Sequence, residues 1–214
     1  HSLTKYASGH GDVMGGAVIG RAELIDSMRD DVSSLGPTLD PHAAFLLQRG
    51  MKTYFVRWDA QCRNALRVAE HLAQHPRVER VRYPGLPGDP GHALALRQMP
   101  DFGTIVTIDL KGGEEVGSRF AEQLRLFSIA ASLGSTESLV VPPALQKVRG
   151  FTAEQQRWAD IGPGTVRLSI GLEDVDGGHV LLTVHEPEVR AVRTVLGHLL
   201  QAGADRVAGA ERPD

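Results

Sequence analysis

The chain has 214 residues, 23 Lys and Arg against 26 Asp and Glu, a formal charge of −3, 42% hydrophobic residues and 23% charged ones. That composition is that of a globular protein long enough to bury a core in one or two domains, and the slightly acidic balance offers no broad basic surface for a phosphate backbone, so nucleic acid is not an expected partner. No run approaches the roughly 18 apolar residues of a membrane span and no export signal opens the chain, so a cytoplasmic location is expected; a single cysteine, Cys62, allows neither an internal disulfide nor a CxxC metal site.

The chain opens His1-Ser2-Leu3-Thr4-Lys5-Tyr6 without an initiator methionine, which reads as the downstream part of a longer protein. Asp12 to Gly20 is apolar and glycine-rich and predicts a strand, followed by a helix over Arg21 to Val32. Asp40-Pro41 supplies an N-cap and a first helical residue. Beyond it, apolar residues from Ala44 to Leu72 recur every three or four positions, predicting a long helix that Gly50 kinks or divides and His75-Pro76 ends. Val78 to Tyr83 reads as a strand, Pro84 to Gly91 as a turn-rich loop, and Ala93 to Gln98 as a short helix. A domain boundary is expected near residue 70. Gly103 to Leu110 predicts a buried strand, Glu115 to Leu126 an amphipathic helix, Thr165 to Gly171 another strand and Pro187 to Gln201 a final helix, together a small α+β unit.

Lys5 is the most informative side chain. The chain has 19 arginines and only four lysines, Lys5, Lys52, Lys111 and Lys147, so lysine is not its ordinary surface filler. Schiff-base chemistry needs an amine that can lose its proton, which arginine cannot provide. If the backbone is extended, Ser2 and Thr4 face one side and could donate two hydroxyls to one anion, with Lys5 directed elsewhere; spacing alone favours a polar loop with a surface lysine. The glycines around His10 and Asp12 match neither a P-loop nor a dinucleotide fingerprint and are expected to serve tight turns. His71 and His75 lie four apart but lack the glutamate of an HExxH site and read as surface histidines, so no metal is expected. No serine lies in a GxSxG elbow. Arg167, mid-strand among apolar neighbours, needs a partner: a bound carboxylate, or an internal salt bridge to Glu173 or Asp174.

In order along the chain, Ser2-Leu3-Thr4-Lys5-Tyr6 with Gly9-His10 and Asp12-Val13, Leu39-Asp40-Pro41, Arg49-Gly50-Met51-Lys52-Thr53, Asn64-Ala65 with Val68-Ala69, Tyr83 to Pro87, Ser132-Leu133-Gly134 with Glu137-Ser138-Leu139, and Val166 to Asp174 resemble the trans-sulfuration family of pyridoxal-phosphate enzymes. That family includes cystathionine γ-synthase, cystathionine γ-lyase, methionine γ-lyase and O-acylhomoserine sulfhydrylases. The resemblance implies an α/β chain of the type I, aspartate-aminotransferase-like fold, with residues 1–70 as the end of the large cofactor domain and linking helix and 71–214 as the small domain. It implies pyridoxal 5'-phosphate as cofactor, a small amino-acid substrate and a homotetramer. It also implies roles: Lys5 carries the cofactor and acts as acid and base, Ser2 and Thr4 bind its phosphate, and Arg167 with Ser132 holds the substrate α-carboxylate. Three stretches depart from the family pattern. Ala131 stands where several γ-acting members carry an acid, Pro142 to Val148 lacks the hydroxyl and histidine of an HPAxxTH-like run, and Gly177 to Glu186 departs from the usual acidic, leucine-rich helix. The ring-stacking tyrosine, the aspartate for the pyridine nitrogen and a Tyr/Arg pair from across the dimer are expected upstream of His1, so the 214 residues alone are not expected to turn over. The rival expectation is a fragment that keeps the fold without catalysis.

Overall fold

The computed structural model describes residues 1–146 and 151–175. Helices α1 (Ala22–Leu35), α2 (Pro41–Met51) and α3 (Tyr54–Ala73) precede strand β1 (Val78–Arg82), and α4 (His92–Gln98) precedes β2 (Ile105–Leu110). Helix α5 (Gly113–Gln123), the short strands β3 (Ser128–Ile129) and β4 (Leu139–Val141), α6 (Pro143–Gln146), α7 (Ala153–Trp158) and β5 (Thr165–Ser169) complete the described order. The final helix expected over Pro187 to Gln201 and the stretch Gly177 to Glu186 lie outside the described residues.

The five strands form one mixed sheet in the order β1-β2-β5-β4-β3, antiparallel except where β3 runs parallel to β4. Strand periodicity divides β2 and β5 between two faces. Val106, Ile108 and Leu110 with Val166, Leu168 and Ile170 pack under Ala65, Val68, Ala69 and Leu72 of α3 and Phe120 and Ala121 of α5. On the opposite face Thr107 and Val141 flank Arg167 in the register. The main core therefore occupies one side of the sheet, and the other carries Arg167 and Thr107 beside the buried Leu139 and Val141.

Asp40 caps α2 as the sequence predicts, its carboxylate accepting from the amides of His42 at 2.9 Å and Ala43 at 3.1 Å with Pro41 at the first helical position. The long helical stretch is divided, but after Met51 rather than at Gly50. Gly50 serves close approach instead: a Cβ there would overlap the carbonyl of Ser8. Residue 70 lies inside α3, which packs on β1 and β2 and also reaches the N-terminal turn.

The strand expected over Asp12 to Gly20 is not formed. Residues there make a single antiparallel bridge, Ser2 to Gly16, supported by the Leu3 amide on the Gly15 carbonyl at 3.0 Å and the Ala17 amide on the His1 carbonyl at 2.8 Å. Hydrophobicity alone does not make a strand, because each backbone amide and carbonyl also requires a ladder partner.

Candidate active site

The extended backbone assumed for Ser2 to Lys5 gives way to a tight turn. Leu3–Ala7 is a five-residue π-helical turn in which Lys5 takes a non-helical conformation, φ −96° and ψ −123°. The Ser8 amide bonds the Leu3 carbonyl at 3.1 Å and the Gly9 amide the Lys5 carbonyl at 2.8 Å. Such turns are uncommon and concentrate at functional sites, because they aim one side chain out of the regular helical row.

The turn sends Lys5 across to a loop 127 residues further on, where its amine donates to the Ser132 hydroxyl at 2.8 Å. Arg167 Nη2 in turn donates to the Ser132 carbonyl at 2.9 Å. Lys5, Ser132 and Arg167, three positions singled out in sequence, thus meet around one residue. The Glu173 carboxylate, one of the internal partners considered for Arg167, is engaged elsewhere: it accepts from the Ser138 amide at 2.6 Å and the Ser138 hydroxyl at 2.8 Å. Arg167 Nε is buried and has no hydrogen-bond partner among the described residues. A guanidinium with a buried, unfilled N–H beside an amine fits an incoming carboxylate, which can accept two such bonds at once.

Thr4 and Ser2 behave differently from one another. The Thr4 hydroxyl accepts from the Gly15 amide at 3.0 Å, which fixes its oxygen over the glycine-rich segment, while Ser2 is exposed. Both hydroxyls lie within three residues of Lys5, Thr4 on the turn that carries the amine and Ser2 on the extended residue that precedes it. An oxygen-rich anion such as a phosphate fits hydroxyl donors of this kind.

Tyr6 anchors the far side of the turn. Its hydroxyl shares a 2.7 Å hydrogen bond with Thr104 just before β2, its ring meets Trp58 edge-on at 5.3 Å, and burial pushes its phenol above the ordinary value. Gly134, at φ +78°, allows the Ser132 loop to touch the turn, since a Cβ would lie 2.8 Å from the Tyr6 amide nitrogen. Gly9, at φ +74°, does the same for Arg57, whose guanidinium a Cβ would overlap.

Arg57 and Gln61 are residues that sequence reading passed over, and Asn64 entered it only as part of a family motif, without a role. α3 was read for its apolar stripe, yet Phe55, counted in that stripe, is 76% exposed, whereas Arg57 is 5% exposed and Gln61 is fully buried. The signal was present as three polar residues at spacing i, i+4 and i+7. Burial lowers the Arg57 pKa from its ordinary value, and no carboxylate pairs with it among the described residues. Cys62, adjacent on the same helix, is buried and its thiol is pushed up to about 12, which keeps it protonated near neutral pH. His71 is exposed, and burial lowers the pKa of half-buried His75, whose Nδ1 accepts from the Arg77 amide at 3.2 Å. Among the described residues no group of three His, Cys, Asp or Glu is placed to hold a metal.

A lysine on a π-helical turn, a serine and an arginine at one point, and a mixed sheet under two helices accord with the class: the chain belongs to the Cys/Met metabolism PLP-dependent enzymes, whose family model matches residues 1–177. Its fold is that of the type I pyridoxal-phosphate enzymes of trans-sulfuration. It is 46% identical over 180 residues to the L-methionine γ-lyase of Fusobacterium nucleatum subsp. polymorphum, a match covering 82% of this chain and 45% of that protein. It is 40% identical over 176 residues to the O-succinylhomoserine sulfhydrylase of Pseudomonas aeruginosa, again covering 82% and 45%. Among solved structures, cystathionine γ-synthase from Xanthomonas oryzae pv. oryzae, crystallised with aminoacrylate and cysteine, superposes with a TM-score of 0.79 at 39% identity over 99% of this chain and 50% of that one. The chain thus spans about half the length of the relatives it matches.

Proposed function

We propose that the protein to which this chain belongs is a pyridoxal-phosphate-dependent trans-sulfuration enzyme. It acts on sulfur amino acids or activated homoserine by elimination or replacement, in the range from cystathionine γ-synthase and γ-lyase to methionine γ-lyase, O-acylhomoserine sulfhydrylase and β-lyase. The observation that carries this reading is the meeting of Lys5, Ser132 and Arg167: the amine is 2.8 Å from the serine hydroxyl and the guanidinium 2.9 Å from the same serine's carbonyl.

Lys5 is the residue that would hold the cofactor, with Ser2 and Thr4 on its phosphate; when bound, pyridoxal phosphate supplies an electron sink that makes protons near the substrate amine acidic. Arg167 would bind the substrate carboxylate through Nε, which no described group fills, and through its Nη nitrogens. The carboxylate then lies beside Ser132, and the α-carbon beside the Lys5 amine. Lys5 Nζ takes the α-proton and returns one, a role for which an amine held by a hydroxyl suits better than one held by a carboxylate, because a neutral partner does not fix its charge. Ser132 Oγ orients that amine by accepting its N–H.

The large and small domains are proposed to divide near residue 70, with α3 leading from one into the other, and the complete protein to be a cytoplasmic homotetramer. Among the described residues no helix is long and apolar enough to cross a membrane. The test uses the complete protein: pyridoxal phosphate is added, the sample reduced with borohydride, digested and mapped by mass spectrometry. A phosphopyridoxyl adduct on Lys5, lost in Lys5→Ala, is expected. A folded complete protein with no adduct on Lys5 would leave a fold-retaining, non-catalytic chain.

A further inference from the structure

We propose that Arg57, Gln61 and Asn64 form a positioning rail on α3, each gripping the backbone of the segment that carries one member of the site, so that the helix sets the spacing of Lys5, Ser132 and Arg167. The proposal rests on the assignment of those three residues as the site.

Residues 57, 61 and 64 fall within about 60° of one another on a helix turning 100° per residue, over roughly 10 Å of its axis. Arg57 Nη2 donates to the Tyr6 carbonyl at 3.2 Å, directly after Lys5, and to the Gly50 carbonyl at 2.9 Å, while its Nε donates to the Thr53 hydroxyl at 3.1 Å. Gln61 Nε2 donates to the Ser135 carbonyl at 2.6 Å, three residues beyond Ser132. Asn64 Nδ2 donates to the Gly171 carbonyl at 3.2 Å and the Glu173 carbonyl at 2.9 Å, where the chain leaves the strand carrying Arg167. The order along the helix is the order of the three segments: turn, loop, strand end.

All three side chains act as donors, and every acceptor except the Thr53 hydroxyl is a main-chain carbonyl. Packing alone does not call for this. A buried guanidinium is costly to desolvate, and an apolar residue would fill the same volume at lower cost unless its directed hydrogen bonds were needed. Gln61 also leaves its own carbonyl oxygen buried without a partner among the described residues, so its donor end is retained at the expense of its acceptor end. The gripped segments are further tied to one another, by the Thr136 amide on the Gly9 carbonyl at 2.9 Å and the Leu172 amide on the Thr136 carbonyl at 2.8 Å. A shift of α3 along its axis would therefore pull on all three segments together, and loss of one grip would loosen the turn, the loop or the exit of the strand that carries Arg167.

The test compares Arg57→Lys, Gln61→Met and Asn64→Leu in the complete protein. Without cofactor, hydrogen exchange should quicken about tenfold at the Ser8 and Gly9 amides in Arg57→Lys, and at Thr136 and Leu172 in the other two. With pyridoxal phosphate, Arg57→Lys should slow the appearance of the reduced Lys5 adduct about tenfold. Gln61→Met and Asn64→Leu should leave the adduct intact and weaken glycine, an amino acid with nothing to eliminate, about tenfold as read by visible absorbance. Uniform loss in every readout, or no change, overturns the rail and leaves these residues as packing. If Arg57→Lys does not fold, Gln61→Met and Asn64→Leu decide by the same contrast between adduct and glycine affinity. Absence of a Lys5 adduct in the unsubstituted protein would instead overturn the proposed function, while the exchange pattern would still test the grips.

Discussion

The turn that carries Lys5 and the strand that carries Arg167 are held in different ways. β5 sits between β2 and β4, its Val166 and Leu168 wholly buried, so Arg167 inherits its place from main-chain ladders on both sides and a core beneath. Among the described residues the Leu3–Ala7 turn pairs with no sheet strand. Side chains and glycines hold it: Arg57 on Tyr6, Thr104 on the Tyr6 hydroxyl, and the gaps at Gly9, Gly50 and Gly134 into which neighbouring groups fit. A ladder spreads its energy over many bonds, whereas the turn depends on a few, so perturbations on the two sides should separate stability from placement.

The largest effect is expected on the strand side. Leu168→Ala, in the closed core, should cost about 2–5 kcal/mol in urea unfolding, with the Lys5 adduct preserved for as long as the protein stays folded. A loss below about 1 kcal/mol would show that the sheet is not the stabilising half. On the turn side, Gly134→Ala adds a methyl against the Tyr6 amide at a position with φ +78° and should cost about 1–3 kcal/mol. Unlike Leu168→Ala, it should also lower the yield of the Lys5 adduct at temperatures where the protein is fully folded. Equal adduct yields in the two variants would erase the contrast.

The smallest effect concerns a charged network at the edge of the sheet. Asp160 bonds Arg80 and Arg82, which also pair with Asp109, and the hydrogen bond from Arg80, followed by that from Arg82, holds its carboxyl below the ordinary 3.8. A depressed carboxyl contributes stability that is complete above the ordinary value and is lost as pH falls below it. The urea midpoint should therefore differ slightly between the native protein and Asp160→Asn at about pH 6, and the difference should shrink progressively as the pH falls below the ordinary carboxyl value. Since the network lies away from Lys5, the adduct should not change; a change would mean that edge and turn are coupled.

Most elements were legible because local chemistry writes them. Asp40-Pro41 starts α2, His75-Pro76 closes the helical stretch, and the apolar run within Gly103 to Leu110 marks β2. The short strands β3 and β4 carry too few residues for a period to register, and the Leu3–Ala7 turn has no repeat to read. The apolar segment from Asp12 to Gly20 misled because its composition suits a strand while its amides find almost no ladder.

By itself the sequence determined the family and the residue types at the site, since the ordered motifs from Ser2 to Asp174 are local strings that survive unfolding. Only the tertiary structure decided that Lys5 and Ser132 meet 127 residues apart, that Arg167 lies on the side of its sheet away from the main core with Nε unfilled, and that Arg57, Gln61 and Asn64 point to carbonyls rather than to water. The physical reason is range: caps and periodicities act across a few residues of chain, while a hydrogen bond between distant segments exists only after the core has brought them together.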